Sequence, residues 1–271
     1  MIITRTPLRI SFFGGGSDYP EYFNEHGGAV LATSIDRYMY VGIDNGRMWS
    51  HCDIPSKSGM ATSSAFTVGL LKACTDKPNE EISRLATVWE RDKLNGNVGY
   101  QDQYLCAMGG FHRLRFFASG IVDEVVDYQW LEPYLMLFDT GFYRRAGDVV
   151  SHQLKRIEEN QKALHCIKRM AIDGYVDYEA FGSALGVAWQ LKKTLADNVT
   201  SGQIDAIWSK ALEAGAVGGK LLGAGGGGFI VFVVHPDKQD DVRQSLRLNE
   251  IKFHFENEGS KVIYDNNKLQ G

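Results

Sequence analysis

The chain lacks several features that would mark a particular class of protein. Its 271 residues include four cysteines, scattered without Cys-x-x-Cys or zinc-ligand spacing. No stretch approaches the roughly 20 apolar residues that a transmembrane helix needs, and the first residues show no signal-peptide pattern. A net charge of −4 gives no reason to expect nucleic acid or an acidic membrane as a partner. We therefore expect a cytoplasmic protein with reduced thiols that binds neither nucleic acid nor membrane.

The composition is that of an ordinary globular protein, with 44% hydrophobic and 23% charged residues. Many of the 30 glycines cluster at three places. Strand-like segments dominate up to about residue 140, whereas long amphipathic helices are predicted at 147–170, 177–195 and 201–214. A buried strand is predicted at 229–234. Further predictions are strands at 2–5, 8–13 and 253–255, a hairpin turn at 45–46 and a helix at 79–93. The pattern therefore predicts an α+β protein of two domains, residues 1–145 and 146–271.

Residues 55–66 read Pro-Ser-Lys-Ser-Gly-Met-Ala-Thr-Ser-Ser-Ala-Phe and run into a predicted helix at 65–73. A helix N-terminus carries unpaired N–H groups and a partial positive charge, so a phosphate placed there meets several donors. Small residues let the backbone approach an anion closely, and hydroxyls add further ligands. The predicted phosphate-binding residues are Ser58, Gly59, Ala61, Thr62, Ser63 and Ser64. The alternative is a capped helix after a polar turn.

This loop is not a Walker A loop, which needs Gly-x-x-x-x-Gly-Lys-Ser/Thr. Lys57 precedes Gly59, and no Gly-Lys-Ser/Thr follows. A nucleotide site here would therefore belong to another class.

Two further glycine-rich segments lie at residues 5–18, ending in Gly-Gly-Gly-Ser-Asp, and at 220–229, containing Gly-Ala-Gly-Gly-Gly-Gly. Between the second and third segments lies Gly99-Tyr-Gln-Asp-Gln103. Together with residues 55–66, this order resembles the GHMP kinases, the galactokinase, homoserine kinase, mevalonate kinase and phosphomevalonate kinase superfamily. Within it, the chain looks most like the D-glycero-D-manno-heptose 7-phosphate kinases.

The resemblance implies a two-domain α+β fold. Its N-terminal half would be ribosomal-protein-like with a left-handed β-α-β crossover, and its C-terminal half ferredoxin-like. It also implies a kinase that uses ATP and Mg²⁺ to phosphorylate the anomeric hydroxyl of a sugar phosphate. The implied acceptor is D-glycero-D-manno-heptose 7-phosphate, and the product would serve nucleotide-sugar synthesis.

The resemblance also assigns catalytic and metal-binding residues. Asp102 would accept the proton of the acceptor hydroxyl or orient it, with Arg9 beside it. Ser63 and Glu90 would hold Mg²⁺. On the residues alone, Asp102 could instead cap a helix, Glu90 could be a solvated helix carboxylate, and Arg9 could pair with a surface acid.

Binding of the sugar is assigned to the other two glycine-rich segments and the domain junction. The predicted substrate-binding residues are Gly16, Ser17, Asp18, Arg144, Gly225, Gly226 and Gly227. On the residues alone, 14–18 could be a tight turn whose aspartate caps the next helix, and 144–145 could be an exposed helix start. Residues 225–228 could be glycines at the entry to a strand with no ligand role. Lys220 is either a phosphate ligand or solvated. Lys192 and Lys193 are a further basic candidate for phosphate binding, with an exposed position on the helix as the plainer expectation.

Two departures from the family leave alternatives open. Ala61 replaces a glycine, so a positive φ there would be costly. The interval between residues 44 and 55 is short, whereas relatives place a helix and strands there that help to wall the adenine site. The alternatives to a heptose 7-phosphate kinase are a kinase for another acceptor, such as fucose, galactose or a mevalonate-type alcohol, or a catalytically silent nucleotide- or sugar-binding protein. Whether the protein forms a homo-oligomer is left open by the sequence.

Overall fold

The computed structural model of the chain describes residues 1–56, 58–94, 96–143 and 146–266, with the backbone alone for 146–148. The strands are β1 (Ile2–Phe13), β2 (Gly28–Asp44), β3 (Arg47–Cys52), β4 (Phe111–Phe117), β5 (Gly120–Val125), β6 (Leu135–Asp139), β7 (Ala216–Leu221), β8 (Phe229–Val234), β9 (Glu250–Ile251) and β10 (Lys261–Asp265). The helices are α1 (Pro20–His26), α2 (Thr62–Cys74), α3 (Asn79–Val88), α4 (Gln101–Met108), α5 (Ala146–Lys155), α6 (Gln161–Ile172), α7 (Tyr178–Lys193), α8 (Gly202–Glu213) and α9 (Gln239–Leu246).

The first sheet is antiparallel and has the order β10-β1-β2-β4-β5, with β3 also paired to β2. The sequence predicts two strands separated by Pro7, but β1 is continuous and its register with β2 shifts after Pro7. A shift of this kind admits a residue that cannot donate to the ladder. The predicted turn at Asn45 and Gly46 is confirmed, because β2 and β3 form a hairpin around it in which Asp44 pairs with Arg47.

The second sheet is also antiparallel, with the order β7-β8-β6-β9. Strand β8 is fully buried, as its apolar run predicts. Strand β7 escapes sequence reasoning because its glycines have low strand propensity. Packing explains them: a Cβ on Gly218 would lie 1.9 Å from the carbonyl oxygen of Gly182 on α7. The glycines therefore let α7 lie directly on the sheet.

Three predicted elements differ from those observed. The helix predicted at 147–170 is two helices, and the buried side chain of Asn160 at the break donates to the Leu195 carbonyl at 2.8 Å. The helix predicted at 79–93 ends at Val88 and continues as a π-helical turn over Trp89–Lys93. The strand predicted at 253–255 is a single bridge between Ile35 and Phe255.

One apolar core joins the two sheets. On β1, Phe12 stacks on Phe111 of β4 with ring centroids 5.5 Å apart and meets Phe181 of α7 edge-on at 5.2 Å. The domain boundary between residues 145 and 146 stays a prediction. The two sheets do not follow it, because β6 lies in the second sheet and β10 returns to the first. Of the helices in the described ranges, none has the length and apolar character needed to cross a membrane.

Candidate active site

A cavity of about 510 Å³ lies where β1, the start of α2, the start of α4, α7 and the β7–β8 loop converge. Eleven of the residues predicted to form the site line it: Arg9, Gly16, Asp18, Gly59, Ala61, Thr62, Ser63, Ser64, Asp102, Gly225 and Gly227. Motifs that are far apart in the sequence thus meet around one cavity. Arg144 lies outside the described residues.

An ion pair between Arg9 and Asp102 forms the centre of this surface. Arg9 on β1 is only 3% exposed. Its Nε donates to Asp102 Oδ1 and its Nη2 to Oδ2, both at 2.8 Å, and its Nη1 donates to the Gly59 carbonyl at 2.7 Å. This bidentate geometry fixes the orientation of the carboxylate. Asp102 lies inside the first turn of α4, and its side chain, 26% exposed, does not cap the helix.

Asp18 is buried beside this pair and is held by neutral donors. It accepts bonds from the Gly16 amide at 3.1 Å, the Gln101 amide at 3.4 Å and Gln101 Nε2 at 3.0 Å. Burial, and secondly the negative charge of Asp102, raise the pKa of Asp18, while these hydrogen bonds lower it. Asp18 does not cap α1, because Tyr19 holds that position.

Two polar atoms near Asp18 have no partner in the described structure. They are Ser11 Oγ and Gln101 Oε1, both buried and on residues that line the cavity. Ser11 Oγ lies 3.8 Å from the point where a Cβ on Gly15 would lie, and so does Gln101 Nε2, the atom that donates to Asp18. Buried polar groups are rarely left unpaired, so a ligand hydroxyl is expected here. Sequence reasoning missed both residues, although Gln101 lies beside the predicted Asp102.

Ser17 has a different role from the one predicted. Its hydroxyl oxygen lies 2.8 Å from the carbonyl oxygen of Gly14 and 3.0 Å from that of Ala29, which share its single proton, and it accepts from the Ala29 amide at 3.1 Å. The side chain is fully buried and is not among those that line the cavity. Ser17 therefore anchors the turn to β2, and these contacts leave no bond for a substrate. Ser58 is likewise buried outside the lining, as its neighbour Gly59 takes the cavity position.

The start of α2 supplies hydroxyls to the cavity, and the first N–H groups of a helix have no partner within it. Ala61 precedes the helix in the left-handed conformation, with φ 61° and ψ 28°, and its side chain makes no capping bond. Thr62, Ser63 and Ser64 all line the cavity, and Ser63 is the exposed one. The predicted strain at Ala61 is therefore present in the fold.

Glu90 lies on the inner side of α2, in the π-helical turn, and is not among the cavity-lining residues. Its carboxylate accepts from Ser64 Oγ at 2.9 Å, Thr67 Oγ1 at 2.8 Å and Gln103 Nε2 at 2.5 Å. Burial raises the pKa of Glu90, and these three bonds oppose the shift. The carboxylate thus pairs with Ser64 and shares no hydrogen bond with Ser63, its predicted partner in metal binding.

Two lysines reach the cavity, one from helix α7 and one from the second sheet. Lys192 on α7 is 6% exposed and Lys220 on β7 is 4% exposed, so neither is solvated. The Lys192 ammonium donates to the carbonyl oxygen of Gly223. Lys192 was expected at the surface, and its burial is a correction. The signal for it is its spacing three residues after buried Trp189, which places both side chains on one face of the helix.

Sequence profiles of one family match two parts of the chain. The profile of the GHMP kinases N terminal domain matches residues 28–110, and that of the GHMP kinases C terminal matches residues 173–251. The chain belongs to the GHMP kinase family. Its α+β fold is that of this family, and the chain is a phosphotransferase.

Individual relatives narrow the class further. The chain is 29% identical to the D-glycero-alpha-D-manno-heptose 7-phosphate kinase of Campylobacter jejuni, over 96% of this chain and 98% of that protein. The alignment spans 332 positions, which exceeds the 271 residues here, so this kinase contains segments that the chain lacks. The crystal structure of a D-glycero-D-manno-heptose 1-phosphate kinase from Bacteroides thetaiotaomicron is similar with a TM-score of 0.78 and 26% identity, over 98% of this chain and 100% of that one. The protein is a sugar kinase close to heptose phosphate kinases.

Proposed function

We propose that the protein is an ATP-dependent kinase that phosphorylates the anomeric hydroxyl of a sugar phosphate, D-glycero-D-manno-heptose 7-phosphate being the first candidate. The observation that carries the proposal is the Arg9–Asp102 pair, which lies in one cavity with the hydroxyl-lined start of α2 and with Asp18. The kinase would act in the cytoplasm, and its sugar 1-phosphate would enter nucleotide-sugar synthesis. The similarity to heptose phosphate kinases supports this choice of acceptor.

The nucleotide phosphates would lie at the start of α2. Free N–H groups and the positive end of the helix dipole favour anions there, and the Thr62 and Ser63 side chains lie at the cavity surface. The acceptor hydroxyl would then approach Asp102. Because Arg9 holds both carboxylate oxygens, Asp102 has a fixed direction in which to accept a hydrogen bond. Positioning of this kind is the main contribution a protein makes to a loose phosphoryl transfer.

The sugar ring would lie against Asp18. A carboxylate can accept hydrogen bonds from two neighbouring hydroxyls, and the unpartnered atoms of Ser11 and Gln101 offer one further acceptor and one group that donates or accepts. These groups suit a polyhydroxy acceptor better than an apolar alcohol, since an apolar ligand would leave them unpaired.

The residues present fit a magnesium ion. Carboxylate and hydroxyl oxygens are the ligands that Mg²⁺ prefers, and it commonly adds phosphate oxygens of the nucleotide. Ser63 at the cavity would be a direct ligand of the ion, and Glu90, which lies outside the lining, would support the site through its hydrogen bond with Ser64. When bound, it would neutralise charge on the phosphates. A nearby cation would also favour the ionised form of Glu90, which burial opposes.

The test is the rate of ADP release with Mg-ATP and a panel of sugars and sugar phosphates, heptose 7-phosphate included. We expect turnover on a sugar phosphate, and we expect Asp102→Asn to lower kcat by about 10²- to 10⁴-fold. The asparagine keeps an acceptor for Arg9, so the variant should stay folded. Asp197→Asn is the matched control, because that side chain is 99% exposed. Full activity of Asp102→Asn would refute the assignment, and turnover confined to unphosphorylated sugars would move the acceptor to that class.

A further inference from the structure

The two lysines of the cavity are buried cations without a carboxylate partner in the described part of the chain. Both bond only to backbone carbonyl oxygens there. A buried charge is costly unless it is paired, so an unpaired buried cation facing a cavity indicates an anionic ligand. The other charged side chains of the lining are Arg9, which is paired with Asp102, and Asp18, which neutral donors satisfy.

The two ammonium groups use their donors differently. Lys220 donates to the carbonyls of Ser11 at 2.9 Å and Phe12 at 2.8 Å, which ties β7 to β1. Among the described residues, Lys192 has a single partner, the Gly223 carbonyl. An ammonium group has three donors, so Lys192 keeps two for the cavity. Lys220 therefore resembles a structural anchor, whereas Lys192 resembles a ligand-binding group.

The contacts around Lys192 place it between the two halves of the proposed reaction. Its partner Gly223 packs on Gly59, since a Cβ on Gly223 would lie 2.5 Å from the Gly59 Cα. The Gly59 carbonyl in turn accepts from Arg9, the partner of Asp102. Lys192 is thus linked both to the loop that leads into α2 and to the pair that would meet the acceptor.

We propose that Lys192 is a catalytic residue that binds the phosphoryl group as it passes from nucleotide to acceptor, an inference that rests on the proposed function. In that step the acceptor oxygen bonds to the terminal phosphorus while the bond from this phosphorus to the bridging oxygen of ATP breaks. The hydroxyl proton passes to Asp102, and ADP leaves with the bond's electron pair. The Lys192 ammonium stays protonated and donates to the non-bridging oxygens of the group in transit.

The titration of Lys192 gives this role a signature. Burial, and secondly the positive charge of Arg9, lower the pKa of Lys192 to about 8, while Asp18 and Asp102 oppose the shift. Lys220 on β7 is the other cation nearby, and burial lowers its pKa too. Because Lys192 must be protonated to bind the phosphoryl group, kcat/KM should fall as the pH rises through about 8.

The experiment compares wild type, Lys192→Met, Lys192→Arg and the control Lys193→Met by steady-state kinetics, varying Mg-ATP and the acceptor separately. Lys193 is the matched control because it points away, paired with Asp205 at 3.2 Å. We expect Lys192→Met to lower kcat by about 10²- to 10³-fold, the range for loss of one preorganised transition-state donor, with KM for both substrates changed only slightly. Lys192→Arg should recover part of the rate and lose the decline above pH 8. Melting temperatures verify that each variant is folded.

Three results would overturn the inference while leaving the proposed function intact. If only KM for phosphorylated acceptors rises, Lys192 binds the acceptor's own phosphate. If only KM for ATP rises, it binds the nucleotide in the ground state. If Lys192→Met behaves like Lys193→Met, or if the alkaline decline persists in Lys192→Arg, the lysine is structural. Absence of wild-type turnover on every acceptor would instead refute the proposed function, and this inference with it.

Discussion

Two loops rich in small residues meet at the cavity, and the small residues have a different function in each loop. The first, residues 58–61, leads into α2 and is followed by three side chains that carry hydroxyls into the cavity. The second, residues 222–228 between β7 and β8, contains five glycines, and five of its residues also line the cavity. A Cβ on Gly228 would lie 2.3 Å from the carbonyl oxygen of Ser58. The first loop presents ligand groups, and the second makes room for the first.

This difference separates two explanations that a glycine-rich sequence leaves open. Glycines beside a cavity can admit a ligand or can admit the chain's own backbone. At Gly228 the backbone of the first loop fills the space, and the Phe229 amide donates to the Ser58 carbonyl at 3.2 Å. Changes in the second loop should therefore affect folding first, and changes around the first loop should affect chemistry.

The largest effect is expected from Gly228→Ala. Its φ of +99° is unfavourable for alanine, and the added methyl would meet a backbone atom that cannot move freely. We expect the free energy of unfolding to fall by more than about 3 kcal/mol, beyond the ~1–2 kcal/mol of the left-handed conformation alone. Urea denaturation followed by circular dichroism measures it.

Gly46→Ala is the matched control for that experiment. Gly46 also has a positive φ, +74°, but nothing lies within 4 Å of its Cβ position. Its substitution should cost about 1–2 kcal/mol, the conformational cost alone. Equal losses at the two sites would contradict the role of Gly228 in packing the loops together.

The resemblance to the GHMP kinases was sufficient to group Arg9, Asp18, Asp102 and the start of α2, and all of them line one cavity. It was insufficient for Lys192, because charged residues are usually exposed and a neighbouring lysine strengthens that expectation. The inward direction of Lys192 comes from the packing of α7 on β7, which depends on glycines in a strand that propensity does not detect. Tertiary packing therefore overrides a sound local expectation.

Glu90 illustrates a second limit. The resemblance to the GHMP kinases singles out this acid and implies that it holds Mg²⁺ together with Ser63, yet the helix changes to a π-helical turn at Trp89. That extra residue per turn redirects the carboxylate, which meets Ser64, Thr67 and Gln103. A regular helical period cannot predict such a rotation. The residue type was predictable from the sequence, but its contacts were not.

Smaller effects are expected from Glu90→Gln, namely a gain in stability at neutral pH and a loss of activity. This substitution tests how the carboxylate behind the first loop supports it. A carboxyl whose folded pKa is raised stabilises the fold most when protonated, and this contribution is lost as the pH rises through the folded pKa. The amide removes that dependence, so the variant should be more stable than wild type at neutral pH, and the gap should narrow below pH ~4. Activity should fall about 10- to 100-fold if Glu90 supports the metal.

Glu81→Gln is a suitable control for the charge change, since Glu81 is on the surface in an ion pair with Lys77. Urea denaturation at neutral and acidic pH, with kcat measured alongside, separates the two effects. A loss of stability at neutral pH would show that the ionised carboxylate is the favoured form in the fold. Unchanged activity would remove Glu90 from the proposed metal site.

The smallest effect is expected from Ala61→Gly, at the one strained residue of the first loop. Ala61 holds a left-handed conformation that glycine adopts without penalty, although glycine also loses more backbone entropy on folding. We expect a net gain of up to about 1 kcal/mol in the free energy of unfolding. Ala65→Gly is the control: Ala65 is buried and helical three residues into α2, so its loss should cost about 1 kcal/mol or more. If Ala61→Gly destabilises as much as Ala65→Gly, the packing of the Ala61 methyl outweighs its backbone strain. In that case the first loop, like the second, is shaped by packing rather than by its ligand.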